Sequence, residues 1–227
     1  MNHAVRNTMV SLIAGLSLAG PASVVAQEKA KMPLPPDINP VTLTRLPQLT
    51  RADLDAEGKA VYDRIVGRDK PAPKTGPVAV SLYSPKIAQA FSDLNGYLRY
   101  NGKLSKRETE AAILVATREI RQQYEYSAHE PAALRFGVPQ AVVDTIKYNR
   151  EPTGLDPEYT LIIKLGRQIM REHKLDSDLF AEAVKRFGRQ GTVELVTVMG
   201  DYVMVGMVLT AIDQHLPADR PARLPPK

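Results

Sequence analysis

The sequence contains no cysteine and no tryptophan, and only 6% of its residues are aromatic. Without a thiol, the chain forms no disulfide, offers no thiolate to a metal ion and has no cysteine nucleophile or dithiol redox pair. The 30 Lys and Arg residues are interleaved with 25 acidic residues, so no basic stripe with aromatic residues between its charges occurs. We therefore predict no nucleic-acid partner, whereas a mildly basic surface suits small anionic substrates.

The N-terminal segment predicts export. Residues 1–26 carry one basic residue, Arg6, before an apolar run over residues 9–19, and Pro21 then leads to a small-residue cleavage site ending at Ala26. This is the layout of a secretory signal peptide, and an uncleaved N-terminal anchor is the alternative. The apolar run is about half of the roughly 20 residues that span a bilayer. Because we expect no later segment to be apolar enough to span one, we predict a periplasmic or secreted protein.

Helical patterns fill the region between two proline-rich ends. Residues 27–49 contain five prolines and predict an extended arm, while residues 218–227 predict a flexible tail. Across residues 50–217, apolar residues recur at helical spacing and no alternating strand pattern occurs. We predict one all-α domain of seven or eight helices. The last helix, from Thr192 to a stop at Pro217, is apolar nearly all round, which predicts burial on both faces or a contact in a homo-oligomer.

The stretch QQYEYSAHEPAALRFGVPQ places Glu125 and His129 four residues apart, on one face of a helix. A solvated surface ion pair is the simplest interpretation. The neighbouring Tyr126 and Ala128 are not typical of an exposed surface, however, and favour a shielded imidazole. Glu110 lies one helix earlier within an apolar stripe, and antiparallel packing of the two helices would bring it to His129. A carboxylate on one ring nitrogen fixes the tautomer and leaves the other nitrogen for proton transfer.

Three further side chains are candidates for binding a substrate. Arg118 and Arg135 are cations that suit a carboxylate, and Tyr126 is a candidate for the pocket wall. Solvated surface arginines and a packed core tyrosine are the alternatives. The sequence has no HExxH or similar ligand cluster and no glycine-rich phosphate loop, so we predict no metal and no cofactor.

The segment SKRETEAAILVATREIRQQYEYSAHEPAALRFGVPQAVVDTI resembles the core motif of the carboxymuconolactone decarboxylase family, which also holds the alkylhydroperoxidase D-like proteins. The matching parts are Ser105, Arg107-Glu108, Glu110, Tyr124-Glu125-Tyr126, His129, Ala132-Ala133, Gly137 and Ile146. The resemblance implies an all-helical alkylhydroperoxidase D-like fold that assembles as trimers or hexamers. It also implies a site between helices, near a subunit contact.

In the peroxidase branch of this family, two cysteines precede the histidine, at positions matched here by Gln122 and Glu125. Since both thiols are missing, thiol-based hydroperoxide reduction is excluded. The decarboxylase branch keeps the glutamates and the histidine without thiols, although Tyr126 stands where tryptophan is usual. The resemblance therefore implies a cofactor-free carboxy-lyase that acts on a small carboxylated lactone or ring compound. His129 would donate the proton, Glu110 would orient it, and Glu125 would be a second relay group. A non-catalytic oligomeric binding protein, or an isomerase or hydrolase on the same scaffold, is the alternative.

Overall fold

The computed structural model describes residues 34–226; the predicted signal peptide and the first part of the arm lie outside this range. The described residues form eight α-helices and no β-strand. The helices are α1 (Ala56–Ile65), α2 (Pro77–Ser81), α3 (Pro85–Tyr100), α4 (Lys106–Glu119), α5 (Gln123–Arg135), α6 (Gln140–Lys147), α7 (Pro157–Glu172) and α8 (Ser177–Ala211). The predicted all-α class is confirmed.

Helix α4 lies at the centre and packs against α5, α6, α7 and α8. Its N-terminus carries the predicted capping box, in which the Ser105 side chain accepts from the Glu108 backbone and the Glu108 carboxylate accepts from the Ser105 backbone. Every residue from 109 to 117 is buried. Fully burying side chains such as Ile113 and Leu114 stabilises the fold by roughly 1.5–3 kcal/mol each.

A sharp turn separates α4 from α5. Arg121 adopts a left-handed backbone conformation with φ of 54°, and the Gln122 side chain accepts from the Tyr124 backbone at 2.9 Å to begin α5. The sequence pattern reads as nearly continuous helix across this point. The turn folds α5 back along α4, which gives the antiparallel pair that the glutamate–histidine prediction requires.

Four helix boundaries differ from those that the sequence pattern indicates. The Thr50–Asp53 capping box begins only a 3₁₀ turn, and α1 begins at Ala56 because the Asp55 side chain accepts from the backbone of its first turn. Residues 77–79 follow a stretch rich in proline and glycine that favours a loop, yet they open α2. The last helix ends at Ala211, six residues before Pro217. It also begins earlier than Thr192. A helical segment that starts at Ser177 is joined to it at Gly188, where φ is 71° and the helix is kinked.

Both proline-rich ends pack on the domain. The Leu43 carbonyl accepts from the His215 backbone at 2.8 Å, which ties the arm to the end of α8. In the tail, the Arg223 backbone donates to Ser127 Oγ at 3.1 Å and Leu224 is buried in the main core. The tail, predicted to be flexible, thus contacts the domain at Arg223 and Leu224, because α5 offers polar partners to its backbone.

Helix α8 is the one helix within residues 34–226 that is long and apolar enough to cross a membrane. The prediction that nothing after residue 26 has such a composition was therefore wrong. More than half of its most apolar window, 56%, is buried inside the fold. A central core helix has this composition because both of its faces are covered.

Candidate active site

His129 lies between two buried carboxylates. Its Nδ1 is 2.7 Å from Oε2 of Glu110 on α4, and its Nε2 is 3.7 Å from Oε2 of Glu125, one turn earlier on α5. The exposed fractions of Glu110, Glu125 and His129 are 2%, 3% and 7%. The 2.7 Å pair is a hydrogen bond, whereas 3.7 Å is too long for one. The ring is thus held at one nitrogen and faces a second acid at the other.

A second group of side chains surrounds this cluster. Arg99 of α3 pairs with Oε1 of Glu110 at 3.4 Å. The Tyr202 ring of α8 meets the His129 ring edge to face, with centroids 4.9 Å apart. Asp201, next to that tyrosine, is also buried and accepts from the Asn95 side chain at 2.8 Å. Four helices therefore supply charged or polar groups to one small volume.

Burial dominates the electrostatics of the acids here. Burial raises the pKa of Glu125, with a further increase from Asp201, although His129, Arg220 and Arg99 act in the opposite direction. Burial also raises the pKa of Asp201, against the effect of its hydrogen bond from Asn95. Both carboxyl groups consequently keep a proton to higher pH than an exposed acid does.

Two carboxylate oxygens in this volume have no hydrogen-bond partner within the described residues: Oε1 of Glu125 and Oδ1 of Asp201. A buried polar atom without a partner is costly, and a cluster of buried acids is more costly still. Such an arrangement is typical of a site where protons are held and transferred. The geometry can therefore fix one imidazole tautomer and keep an exchangeable proton beside the other ring nitrogen.

The other predicted site residues lie elsewhere. Arg118 donates from Nε to the Lys147 carbonyl at 2.9 Å, and Arg135 is exposed, with its guanidinium 5.3 Å from the Phe136 ring centroid. Tyr126 is fully buried on another face of α5, beside Glu130, and burial raises its pKa. The structure does not bring these three side chains into contact with the cluster of His129 and its two glutamates.

Sequence reasoning missed Arg99, Asn95, Asp201 and Tyr202. Only Asp201 carried a usable signal, because an acidic residue in the middle of an apolar helix has to find a partner or a function. Arg99 and Asn95 carried none, since their partners are distant in sequence. Nowhere in residues 34–226 do three or more His, Asp or Glu side chains have a geometry that could hold a metal ion.

Two cavities are lined by residues that neighbour the cluster in space or in sequence. A groove of about 190 Å³ along α3 has Asn95 and Arg99 in its wall. A cavity of about 330 Å³ lies between α5 and the C-terminal tail, with Ala128 and Arg220 in its wall. We call the second one the tail cavity. Ala128 directly precedes His129, so this cavity lies beside the helix that carries the imidazole.

A model of the carboxymuconolactone decarboxylase family matches residues 85–166, so the predicted resemblance is confirmed. This range contains Glu110, Glu125 and His129, together with Arg99 and Asn95. It ends within α7, so Asp201, Tyr202 and the tail lie outside the matched segment. No curated protein matches the sequence.

Three solved structures resemble the fold. An uncharacterized peroxidase-related protein from Silicibacter sp. TM1040 is 16% identical, with a TM-score of 0.60 over 81% of this chain and 95% of that one. An alkylhydroperoxidase AhpD core protein, also peroxidase-related, from Ralstonia eutropha JMP134 is 15% identical, with a TM-score of 0.59 over 78% and 94%. The debrominase Bmp8, as a cysteine-to-alanine variant with 2,3,4-tribromopyrrole, is 14% identical, with a TM-score of 0.57 over 78% and 91%. At these identities the likeness shows the fold alone.

Proposed function

We propose, from the premise that residues 85–166 form a carboxymuconolactone decarboxylase family segment, that the chain is a cofactor-free carboxy-lyase. Its substrate would be a small carboxylated lactone or ring compound. The observation that carries the proposal is the buried arrangement in which Nδ1 of His129 meets Glu110 at 2.7 Å while Nε2 faces Glu125. An imidazole held in this way delivers a proton without metal or sulfur.

The reaction needs one proton. The bond between a ring carbon and the carboxylate breaks, CO₂ leaves, and the electron pair remains on the ring as a dienolate. A proton then adds to carbon and gives the product, so one proton is consumed for each CO₂ released. In this proposal His129 delivers that proton, Glu110 fixes its tautomer through Nδ1, and Glu125 resupplies the proton at Nε2.

The gap of 3.7 Å between Nε2 and Glu125 fits this sequence of events. It is too long for a direct hydrogen bond, so a small shift of either side chain, or one bridging water, has to connect the relay. Burial raises the pKa of Glu125. Glu125 therefore holds a proton at a higher pH than a solvated carboxyl group, as a proton-relay acid must.

Thiol chemistry is a less suitable function for this chain, although two of the similar structures are described as peroxidase-related. The full sequence has no cysteine, and Gln122 is committed to structure. Its Nε2 donates to the Gly206 carbonyl at 3.1 Å and to Thr210 Oγ1 at 3.0 Å. A proton-transfer reaction, in contrast, needs only the imidazole and carboxyl groups that the site contains.

The test is to screen the purified protein against unsaturated lactone acids and keto acids, measuring CO₂ release and product structure. His129→Gln serves as the disabled variant, and Arg135→Gln, outside both cavity walls, is the matched control. We expect turnover in the wild type and in the control, and its loss in His129→Gln. Equal turnover in all three proteins would remove the proposed proton donor.

The product also separates the alternatives. A product that keeps its carboxylate but has a shifted double bond would identify an isomerase, and ring opening would identify a hydrolase. Binding without any turnover would identify a non-catalytic binding protein. Each result contradicts the lyase proposal in a different way.

We also propose that the protein is exported, on the basis of the signal-peptide pattern in residues 1–26. Expression with its own N-terminus in a Gram-negative host should yield a periplasmic protein that begins at Gln27. N-terminal sequencing of the fractionated protein measures this. A membrane-bound protein that still begins at Met1 would support the uncleaved anchor instead.

A further inference from the structure

The tail cavity is formed by the C-terminal segment that follows α8. Its walls come from three residues of α5 and four of the tail: Ser127, Ala128, Pro131, Asp219, Arg220, Pro221 and Arg223. The tail is fixed in place at two neighbouring points: Arg223 N donates to Ser127 Oγ, and Leu224 N donates to Oε1 of Gln123 at 2.9 Å. The cavity is therefore a built feature of the fold.

Arg220 is the unusual group in this cavity. Its guanidinium lies 4.6 Å from the ring centroid of Tyr124, and its Nη1 is buried with no hydrogen-bond acceptor within the described residues. No carboxylate among residues 34–226 lies within ion-pair distance of it. A buried guanidinium donor without an acceptor is costly, and an anion that enters the cavity would supply that acceptor.

The neighbouring cations are already paired. Arg223 contacts Oε1 of Glu130 at 2.8 Å, and Arg99, in the wall of the α3 groove, pairs with Glu110. Within the described residues, Arg220 is left without an ion-pair partner, and Nε of Arg223 in the same cavity wall is likewise buried without an acceptor. Arg118 and Arg135, predicted from the sequence for this role, lie outside both cavity walls.

Arg220 is also electrostatically connected to the proton relay. Its charge is among those that act to lower the pKa of Glu125, ahead of Arg99 in size. Tyr124, under the guanidinium, directly precedes Glu125 on α5. The charge of Arg220 therefore acts on the acid that faces Nε2 of His129, although the side chains of Glu125 and His129 are not part of the cavity wall.

We propose that Arg220 docks a carboxylate of the substrate in the tail cavity, and that this is a carboxylate which the product keeps. The inference rests on the proposed lyase function. An arginine on the departing carboxylate would stabilise the charge that must be lost as CO₂, and so would oppose the reaction. An arginine on a second carboxylate holds the ring in place without that effect.

The test uses a ligand that cannot react. A saturated γ-lactone with one carboxylate, and its methyl ester as the neutral partner, are titrated into the full protein and followed by calorimetry and by the backbone amide signals of Ser127 and Ala128. We expect the carboxylate to bind and to shift both signals. In Arg220→Gln its affinity should fall about tenfold to hundredfold, the loss typical of a charged hydrogen-bonded pair. Binding of the ester should be equally weak in both proteins.

Two further variants complete the design. Arg220→Lys keeps the charge without the planar fork and should recover part of the affinity, and Arg135→Gln should bind as the wild type does. A wild type that binds no carboxylate, or an Arg220→Gln protein that binds as well as the wild type while folded by circular dichroism, overturns the inference.

Failure of the proposed function would look different. His129→Gln should bind the carboxylate with unchanged affinity, because it keeps Arg220. If no lactone acid is turned over but carboxylate binding depends on Arg220, the lyase proposal fails and the docking site stands. If turnover occurs but its KM does not change in Arg220→Gln, the docking inference fails and the lyase proposal stands.

Discussion

Gly206 of α8 lies directly against Ile120 at the end of α4, where a Cβ at residue 206 would overlap the Ile120 Cδ1 atom. The Gly206 carbonyl also accepts from the side chain of Gln122 at 3.1 Å. These contacts fix the turn between α4 and α5. Because this turn folds α5 back along α4, it sets the register that places Glu110 opposite His129.

Replacing Gly206 by alanine should therefore destabilise the protein. Alanine in a helix is normally more favourable than glycine by about 1 kcal/mol, but here the added methyl group overpacks the contact with Ile120, at a typical cost of about 1–3 kcal/mol. Gly200 is the matched control, since a Cβ there meets nothing within 4 Å. Urea unfolding should show a lower midpoint for Gly206→Ala and an unchanged or higher one for Gly200→Ala. Equal midpoints would show that the close approach has no energetic importance.

The carboxylate of Glu110 should set the tautomer of His129. In Glu110→Gln the acceptor at 2.7 Å is replaced by an amide, which binds the Nδ1 proton less strongly and can also present its own NH₂ group. We expect turnover to fall about 10²- to 10⁴-fold, as when a general acid–base is impaired. The ¹⁵N signals of the ring should move away from the tautomer protonated at Nδ1.

The control for this prediction is Glu119→Gln on the same helix, whose carboxylate pairs with Arg171 at 2.6 Å. It should leave both the ring signals and turnover unchanged. A Glu110→Gln protein with the wild-type tautomer would show that Glu110 acts only as a buried partner of Arg99.

The contact between Glu110 and His129 could be anticipated from the sequence because it depends mostly on local patterns, namely helical spacing and helix capping. Helical spacing puts Glu125 and His129 on one face, and the Ser105 capping box fixes where α4 begins. Two helices joined by a short connection pack antiparallel, but the turn at Arg121 that makes this connection was not predicted, because the sequence pattern reads as nearly continuous helix there. Each step depends only on residues that are close in sequence.

The rest of the site could not be predicted, because it depends on contacts between distant segments. Asn95 and Asp201 are 106 positions apart, and no local pattern pairs them. Arg220 lies in a segment whose prolines predict a flexible chain, yet its neighbours bond to polar side chains of α5. The composition of a segment predicts its conformation in isolation. The position of the tail depends instead on its hydrogen bonds to α5, which composition does not reveal.

The exposed side of α8 supports the predicted homo-oligomer. Met207 is 67% exposed, Met204 and Val208 of the same helix are also exposed, and both of these line one apolar groove with Ile87 of α3. Contiguous apolar surface of this kind is typical of contacts between subunits. The family resemblance implies a trimer or hexamer, so sedimentation velocity of the wild type should give a mass of three or six chains.

A charge placed in that surface should disrupt the assembly. We expect Met207→Glu to sediment mainly as smaller species, because association would bury an unpaired carboxylate. Lys185→Glu, at an exposed polar position of the same helix, is the control and should assemble normally. A monomeric wild type, or a Met207→Glu protein with the wild-type mass, would contradict this interface.

The buried carboxyl group of Glu125 should make stability depend on pH in a characteristic direction. Its pKa is raised in the folded state by burial, whereas in the unfolded chain it is about 4.3. As the pH rises above that value, the unfolded chain loses this proton while the folded protein keeps it. The folded state then binds more protons, so the free energy of unfolding falls with pH until the folded pKa is passed.

Glu125→Gln removes this contribution, because an amide does not titrate. The difference in unfolding free energy, variant minus wild type, should therefore rise as the pH increases from about 4 and become constant above the folded pKa. Thermal unfolding over a pH series measures it, with Glu172→Gln at an exposed position as the control whose difference stays flat. If the Glu125→Gln difference instead fell with pH, the folded carboxyl group would be ionised more easily than the unfolded one. Glu125 would then be a stable partner of the neighbouring cations, and it would not hold the proton that the relay requires.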